Sequence, residues 1–179
     1  MKPTCFILGT GPGIQSFNRA NEFVCMGVND VWKYHQTHYL LVMDKPTTFS
    51  NDRLQTIANS RPVAFFSTLP QWDFMPGYEP ISINEAGGDL STLHKKGFAK
   101  LPRHVDSTFT AVCLAYRLGY HNIILHGVHL KDHPVLHTQW DKIKLCYQKL
   151  FVALKDVKVT LCVNDNSPLL EVLPKNNIV

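Results

Sequence analysis

Residues 4–13 read Thr-Cys-Phe-Ile-Leu-Gly-Thr-Gly-Pro-Gly, a short apolar run that ends in three glycines within five positions. A run that is apolar at successive positions suits a strand buried on both faces, the habit of parallel sheets. The glycines let the chain turn sharply where that strand stops. The same theme returns at Phe23–Asn29 (FVCMGVN), Tyr39–Asp44 (YLLVMD), Pro62–Phe66 (PVAFF), Asn122–Val128 (NIILHGV) and Val157–Val163 (VKVTLCV), with a weaker strand signal near Pro80–Ile83. Helical patterns lie between them. One is short, at Asp30–Gln36, and Asn51–Ala58 sets Leu54, Ile57 and Ala58 at helical spacing. Thr108–Leu118 opens after a capping Asp106-Ser107 and closes at Gly119, while Thr138–Leu154 carries the stripe Trp140, Ile143, Tyr147, Leu150 and Leu154. Strands alternating with helices through short connections predict an α/β protein: a Rossmann-like three-layer fold with a mostly parallel sheet of about six strands.

The chain has 179 residues, 45% hydrophobic and 18% charged, which suits one domain over 1–179 with an ordinary core. That balance excludes a disordered tail, a fibre and a disulfide-stapled miniprotein. An irregular excursion at 67–104, rich in Pro, Gly and aromatics, suits either a lid or the interface of a homo-oligomer. No apolar run nears the roughly 20 residues that cross a bilayer, and no signal-peptide pattern opens the chain, so a soluble cytoplasmic protein without a membrane span is expected. The five cysteines form no CxxC pair and read as reduced, mostly buried thiols. Charge is uneven under a net +4: residues 1–90 hold 6 Lys+Arg against 8 Asp+Glu, residues 91–179 hold 12 against 6. A basic half suits an anionic small molecule, but no Arg/Lys run or stacking motif points to nucleic acid.

Ligands of open parallel sheets collect at the carboxyl ends of the strands. Gly9, Thr10, Gly11, Pro12 and Gly13 stand at the first such end and suit a nucleotide phosphate approached by backbone N–H groups; the plain alternative is a tight βα turn. The loop lacks the Lys-Ser/Thr of a Walker motif, and Ile14 and Ser16 spoil a dinucleotide fingerprint. Asn29 and Asp30 end the second strand, where they hold a ribose hydroxyl or cap the next helix. Asp44 is a ligand contact or a turn former beside Pro46. Ser107 and Thr108 offer hydroxyls at a helix start, more than capping alone requires. His126, His129, His133 and His137 invite a metal reading, but Pro134 interrupts any helix that would align them. No metal site is therefore expected, and one histidine acting as general base fits better.

Four motifs taken in order, GTGPG at 9–13, GVND at 27–30, STFTAVCLAYRLGYHNIILHGVHL at 107–130 and VTLCVNDNSPLLEVLP at 159–174, resemble the bacterial sialyltransferases of glycosyltransferase family 42. They also resemble the related Rossmann-like domains of the archaeal hydroxymethylpterin diphosphokinase group. The sialyltransferase likeness implies a metal-independent transferase acting on a nucleotide-sugar, a CMP-sugar above all, with no permanent cofactor. It implies that Gly9, Thr10, Gly11 and Pro12 line the nucleotide, that Asn29 contacts it, and that Ser107 and Thr108 meet the ribose. It further implies His137 as the base that deprotonates an acceptor hydroxyl, and it matches Asn166-Ser167 to the family's tail. The chain departs from that family at Thr10 and Gly13, where Asn and Ser are usual, and at His129, where an acidic residue is usual. Paired tyrosines that hold the phosphate have no counterpart between His129 and His137. The second likeness implies ATP with magnesium, held by Asp30, Asp44 or Asp106. A non-catalytic nucleotide- or sugar-binding module is the third reading.

Overall fold

A computed structural model describes residues 2–84, 90, 100–102 and 106–176. Strands β1 (Thr4–Leu8), β2 (Val24–Val28), β3 (Tyr39–Leu41), β4 (Ala64–Ser67), β5 (Tyr78–Pro80), β8 (Asn122–His126) and β9 (Thr160–Val163) form one parallel sheet in the order β5-β4-β3-β2-β1-β8-β9. A second, two-stranded parallel sheet pairs β6 (Ser82–Asn84) with β7 (Lys100–Pro102). Helices α1 (Asn51–Ala58), α2 (Ser107–Arg117) and α3 (Trp140–Asp156) complete the layers. The main sheet thus has seven strands where about six were expected. The added strand is β5; the weak signal near Pro80–Ile83 is split between it and β6.

Alternation along each strand explains the layering, because successive side chains point to opposite faces. Cys5, Ile7, Met26, Val28, Ile123, Leu125, Leu161 and Val163 face one cluster with α2 and with the α3 stripe Ile143, Tyr147, Leu150 and Leu154. Phe6, Leu8, Cys25, Leu40, Phe65, Ile124 and Cys162 face the other, with Ile57 of α1 and the rings of Phe17, Phe49 and Trp72. Runs apolar at every position were the sign of this two-sided burial. Trp72 is fully buried and donates Nε1–H to the Asp44 carbonyl at 2.9 Å, so this part of the excursion packs under the sheet. Residues 85–89, 91–99 and 103–105 of the excursion lie outside the described residues.

Helix α2 begins at Asp106, whose carboxylate accepts the Phe109 N–H at 2.8 Å, and Gly119 follows its end with φ 93°. The expected short helix at Asp30–Gln36 is a 3-10 turn over Val31–Lys33. Among the described residues, no helix is long and apolar enough to cross a membrane.

The cysteines give a first expected outcome. Cys5, Cys25, Cys113 and Cys162 are buried and Cys146 is half-buried. Burial raises the thiols of Cys5 and Cys113 well above their ordinary range, and pushes Cys25 up to about 12 and Cys162 to about 11. A thiol reagent at pH 8 should therefore titrate Cys146 first in the native protein and the other four only on unfolding, since the thiolate is the reactive form. Rapid native labelling of two or more thiols would contradict this packing.

Candidate functional site

The strand order turns back once. From β1 the chain moves outward through β2, β3, β4 and β5, and β8 then returns to the other side of β1. The carboxyl ends of β1 and β8 therefore flank a topological switch point, where open parallel sheets leave a crevice. A cleft of about 540 Å³ lies there, in the size range of small-molecule sites. It is lined by Pro12, Gly13 and Ser16 after β1, His126 and His129 at and after β8, and Asn164, Asp165 and Asn166 after β9. Lys175 completes the lining from the returning C-terminal segment.

Backbone contact between the two loops shapes this crevice. Gly9 N–H donates to the His126 carbonyl at 2.9 Å and Gly11 N–H to the Gly127 carbonyl at 2.8 Å. Those two amides are committed to the fold. Among the described residues the Thr10 and Gly13 amides have no partner, and Gly13 lines the cleft.

His126 is only 3% exposed and both ring nitrogens are used. Its Nε2 lies 2.9 Å from the Gly13 carbonyl, an acceptor, so Nε2 carries the proton. Its Nδ1 lies 3.1 Å from Asn164 Nδ2, and Asn164 Oδ1 in turn accepts from Asn176 Nδ2 at 3.0 Å. This chain of bonds ties the glycine loop to the C-terminal segment. That segment is also held by Val163 N–H on the Pro174 carbonyl (2.9 Å) and Asn176 N–H on the Val163 carbonyl (2.6 Å). Lys175 therefore stands at the cleft on a fixed backbone.

Asp165 occupies the floor. Its Oδ2 accepts the Gly127 N–H at 2.7 Å and lies 3.4 Å from His129 Nε2, while its Oδ1 accepts the Ser167 N–H at 3.3 Å. The side chains of His129 and Asp165 are 12% and 9% exposed. A carboxylate so placed is compensated by two backbone donors and one imidazole.

The residues expected from the sequence divide. Pro12, Gly13 and Asn166 line the cleft, and Gly9 and Gly11 build its wall; Thr10 is exposed between them. Asn29 stands at the carboxyl end of β2, outside the lining, in a left-handed conformation (φ 57°) with Oδ1 buried and unbonded among the described residues. Asp30 is engaged by Arg53 Nη2 at 2.7 Å, and Arg53 also lies over the Phe49 ring. Asp44 is exposed. Ser107 and Thr108 lie in the first turn of α2 and outside the lining, Thr108 being buried. Ser167 is buried; its hydroxyl donates to the Val128 carbonyl and accepts from Leu169 N–H. His137 is exposed, outside the lining, with Nδ1 3.1 Å from the His133 carbonyl.

The cleft brings in residues that the sequence reading did not select as site residues: Ser16, His126, His129, Asn164, Asp165 and Lys175. Asn164 and Asp165 come next after β9, where the rule that ligands gather at strand ends applies, but the sequence reading did not extend it to them. Nothing local marked Lys175, which arrives through the return of the chain past the 3-10 turn Pro168–Glu171.

No family model matches the chain, and no curated protein matches it. Solved structures do. The chain aligns with the Campylobacter jejuni sialyltransferase CstII in complex with the substrate analogue CMP-3FNeuAc at 13% identity and a TM-score of 0.60, over 97% of this chain and 85% of that one. A CstII structure with cytidine-5′-monophosphate gives 15% identity and a TM-score of 0.58, over 98% and 85%. The monofunctional α-2,3-sialyltransferase Cst-I of the same organism gives 15% and 0.56, over 99% and 83%. The chain thus shares the fold of these sialyltransferases along nearly its whole length.

Proposed function

We propose that this chain is a nucleotide-sugar-dependent transferase of the sialyltransferase kind, taking a CMP-activated sugar at the cleft and passing the sugar to a hydroxyl acceptor. The observation that carries the reading is the position of the cleft. It lies at the switch point between β1 and β8, with the glycine loop on one side and a lysine on the other, in a fold shared with enzymes whose structures hold CMP and a CMP-sugar analogue.

The chemistry follows from charge. A nucleoside monophosphate leaving group develops negative charge on its phosphate, and preorganised donors aimed at that charge lower the barrier. In this reading the Gly13 N–H and the Lys175 ammonium take the phosphate. The sugar then lies toward His129 and Asp165, at the floor of the same cleft. A histidine at this edge takes the acceptor's proton. The sequence nominated His137; the cleft itself presents His129.

Lys175 gives a direct test. Lys175→Ala removes one charge-assisted contact to phosphate and should weaken CMP binding about tenfold. Isothermal titration should show this loss with an unchanged melting temperature for the free protein. Equal CMP affinity in the two proteins would remove Lys175 from the phosphate site.

A further inference from the structure

We infer that His126 and Asn164 act together as positioning residues that join Lys175 and the glycine loop into one preorganised anion site; this rests on the transferase reading above, which puts the phosphate between them. A lysine on a loose segment is a poor anion ligand, because side chain and backbone must both be ordered as it binds. Lys175 is exposed and follows the last 3-10 turn, on a segment whose hold on the sheet is short. Two backbone bonds to Val163, from the residues on either side of Lys175, fasten its backbone. The bond from Asn176 Nδ2 to Asn164 Oδ1, 3.0 Å long, adds a connection to the cleft wall.

Asn164 can serve in this way because its amide has a fixed sense. The Gly13 carbonyl accepts from His126 Nε2, which leaves Nδ1 of that ring as an acceptor. Asn164 therefore turns its NH2 group to His126 Nδ1 and its oxygen to Asn176. The imidazole is held in turn, buried at 3% exposure and packed on the Phe17 ring with centroids 5.1 Å apart.

The other end of the relay is equally fixed. The Gly13 carbonyl also accepts the Ser16 N–H at 2.9 Å and the Ser16 hydroxyl at 2.7 Å. Three donors on one carbonyl hold Gly13 in its left-handed conformation, φ 92°, and with it the direction of the Gly13 N–H. Among the described residues the Lys175 ammonium has no partner, so the charge delivered to the cleft is left for a ligand. Two anion donors from opposite ends of the chain are thus tied through three side chains, His126, Asn164 and Asn176.

The test measures CMP affinity of the whole chain by calorimetry, at low salt and at about 0.3 M salt. Asn164→Leu keeps the size of the side chain and changes no charge; it should weaken CMP binding about fivefold. In that background Lys175→Ala should cost less than about threefold, against about tenfold in the wild type, because members of one network do not add. The salt dependence of CMP binding should shrink in Asn164→Leu as it does in Lys175→Ala. A neutral substitution that acted on stability alone would not move it. His35→Leu is the control. His35 Nε2 donates to the next carbonyl, that of Ile14, at 2.8 Å and its ring packs on Phe17, but among the described residues it has no bond to the C-terminal segment. Lys175→Ala should keep its full cost there. If Asn164→Leu melts early, Asn176→Ala breaks the relay from its more exposed end and is held to the same two results. Additive losses, or a salt dependence that stays at the wild-type value, overturn the inference and leave the transferase reading standing. A wild-type protein that does not bind CMP overturns both.

Discussion

Gly127→Ala is expected to melt far below the wild type, because two costs meet at one position. Gly127 has φ 70°, in the left-handed region, and a Cβ built there would lie 2.7 Å from the Gly9 carbonyl oxygen. The backbone term is about 1–2 kcal/mol for an L-residue, and forcing an atom into a packed site adds about 1–3 kcal/mol. The opposing atom is main chain, so no side chain can rotate out of the way. A total of about 2–5 kcal/mol is a large share of a typical stability of about 5–15 kcal/mol. At about 2–4 °C per kcal/mol for a domain of this size, the melting temperature should fall by roughly 4–20 °C. Gly119→Ala is the control: its φ is 93° but a Cβ there meets nothing within 4 Å, so only the backbone term applies. Equal melting temperatures for the two variants would show that the loops after β1 and β8 do not pack as described. The same contact sets the cleft, so Gly127→Ala should also lose CMP binding under conditions where it remains folded.

Asp106→Ala should come next in size. One carboxylate oxygen accepts both the Phe109 N–H at 2.8 Å and the Tyr147 hydroxyl at 3.0 Å, joining the start of α2 to the middle of α3 inside the core. Loss of the cap costs about 1 kcal/mol, and loss of the acceptor for a buried hydroxyl costs about 1–3 kcal/mol more. Chemical denaturation should show about 2–4 kcal/mol of destabilisation with an unchanged m-value. Asp106→Asn keeps an acceptor for the Phe109 amide and should lose less. If the two variants are equally stable, the cap is not what Asp106 supplies. An Asp106 so engaged is a structural residue of the core, which bears on its reading as a magnesium ligand.

Most of the fold was legible in the sequence. Unbroken apolar runs at Thr4–Leu8, Val24–Val28 and Asn122–His126 announce parallel strands, and the stripe through Trp140, Ile143, Tyr147, Leu150 and Leu154 announces α3, because burial on two faces or one leaves its period in the chain. The strand β5 was faint because its three residues, Tyr-Glu-Pro, are half-buried or exposed at the sheet's edge. The site was legible only in part. A glycine loop after β1 is a local pattern, and it led to Pro12 and Gly13. Which of its amides stay available was not local, since the Gly9 and Gly11 amides are taken by β8 and the residue after it, more than a hundred residues away. Ser167 shows the converse: its place in a familiar tail suggests a ligand contact, whereas its hydroxyl is buried against Val128. Histidine spacing along the chain did not separate His126, His129, His133 and His137. Only their placement did, with one locked in the fold, one facing a carboxylate in the cleft and two exposed.

The proposed transferase requires that the switch-point cleft take a cytidine nucleotide, and the sialyltransferase likeness implies that it does so without a metal. Its most direct test is a melting series of the wild-type chain with CMP, UDP, GDP, ATP and NAD, each in EDTA and again with Mg²⁺. A nucleotide present at 100 times its Kd adds about 2.7 kcal/mol to the folded state, which should raise the melting temperature by roughly 5–10 °C. The account predicts that rise with CMP, equal in EDTA and in Mg²⁺. Stabilisation by ATP only with Mg²⁺ would contradict it in favour of a diphosphokinase-like site, and no shift with any nucleotide would leave the glycine loop as a turn and end the nucleotide reading.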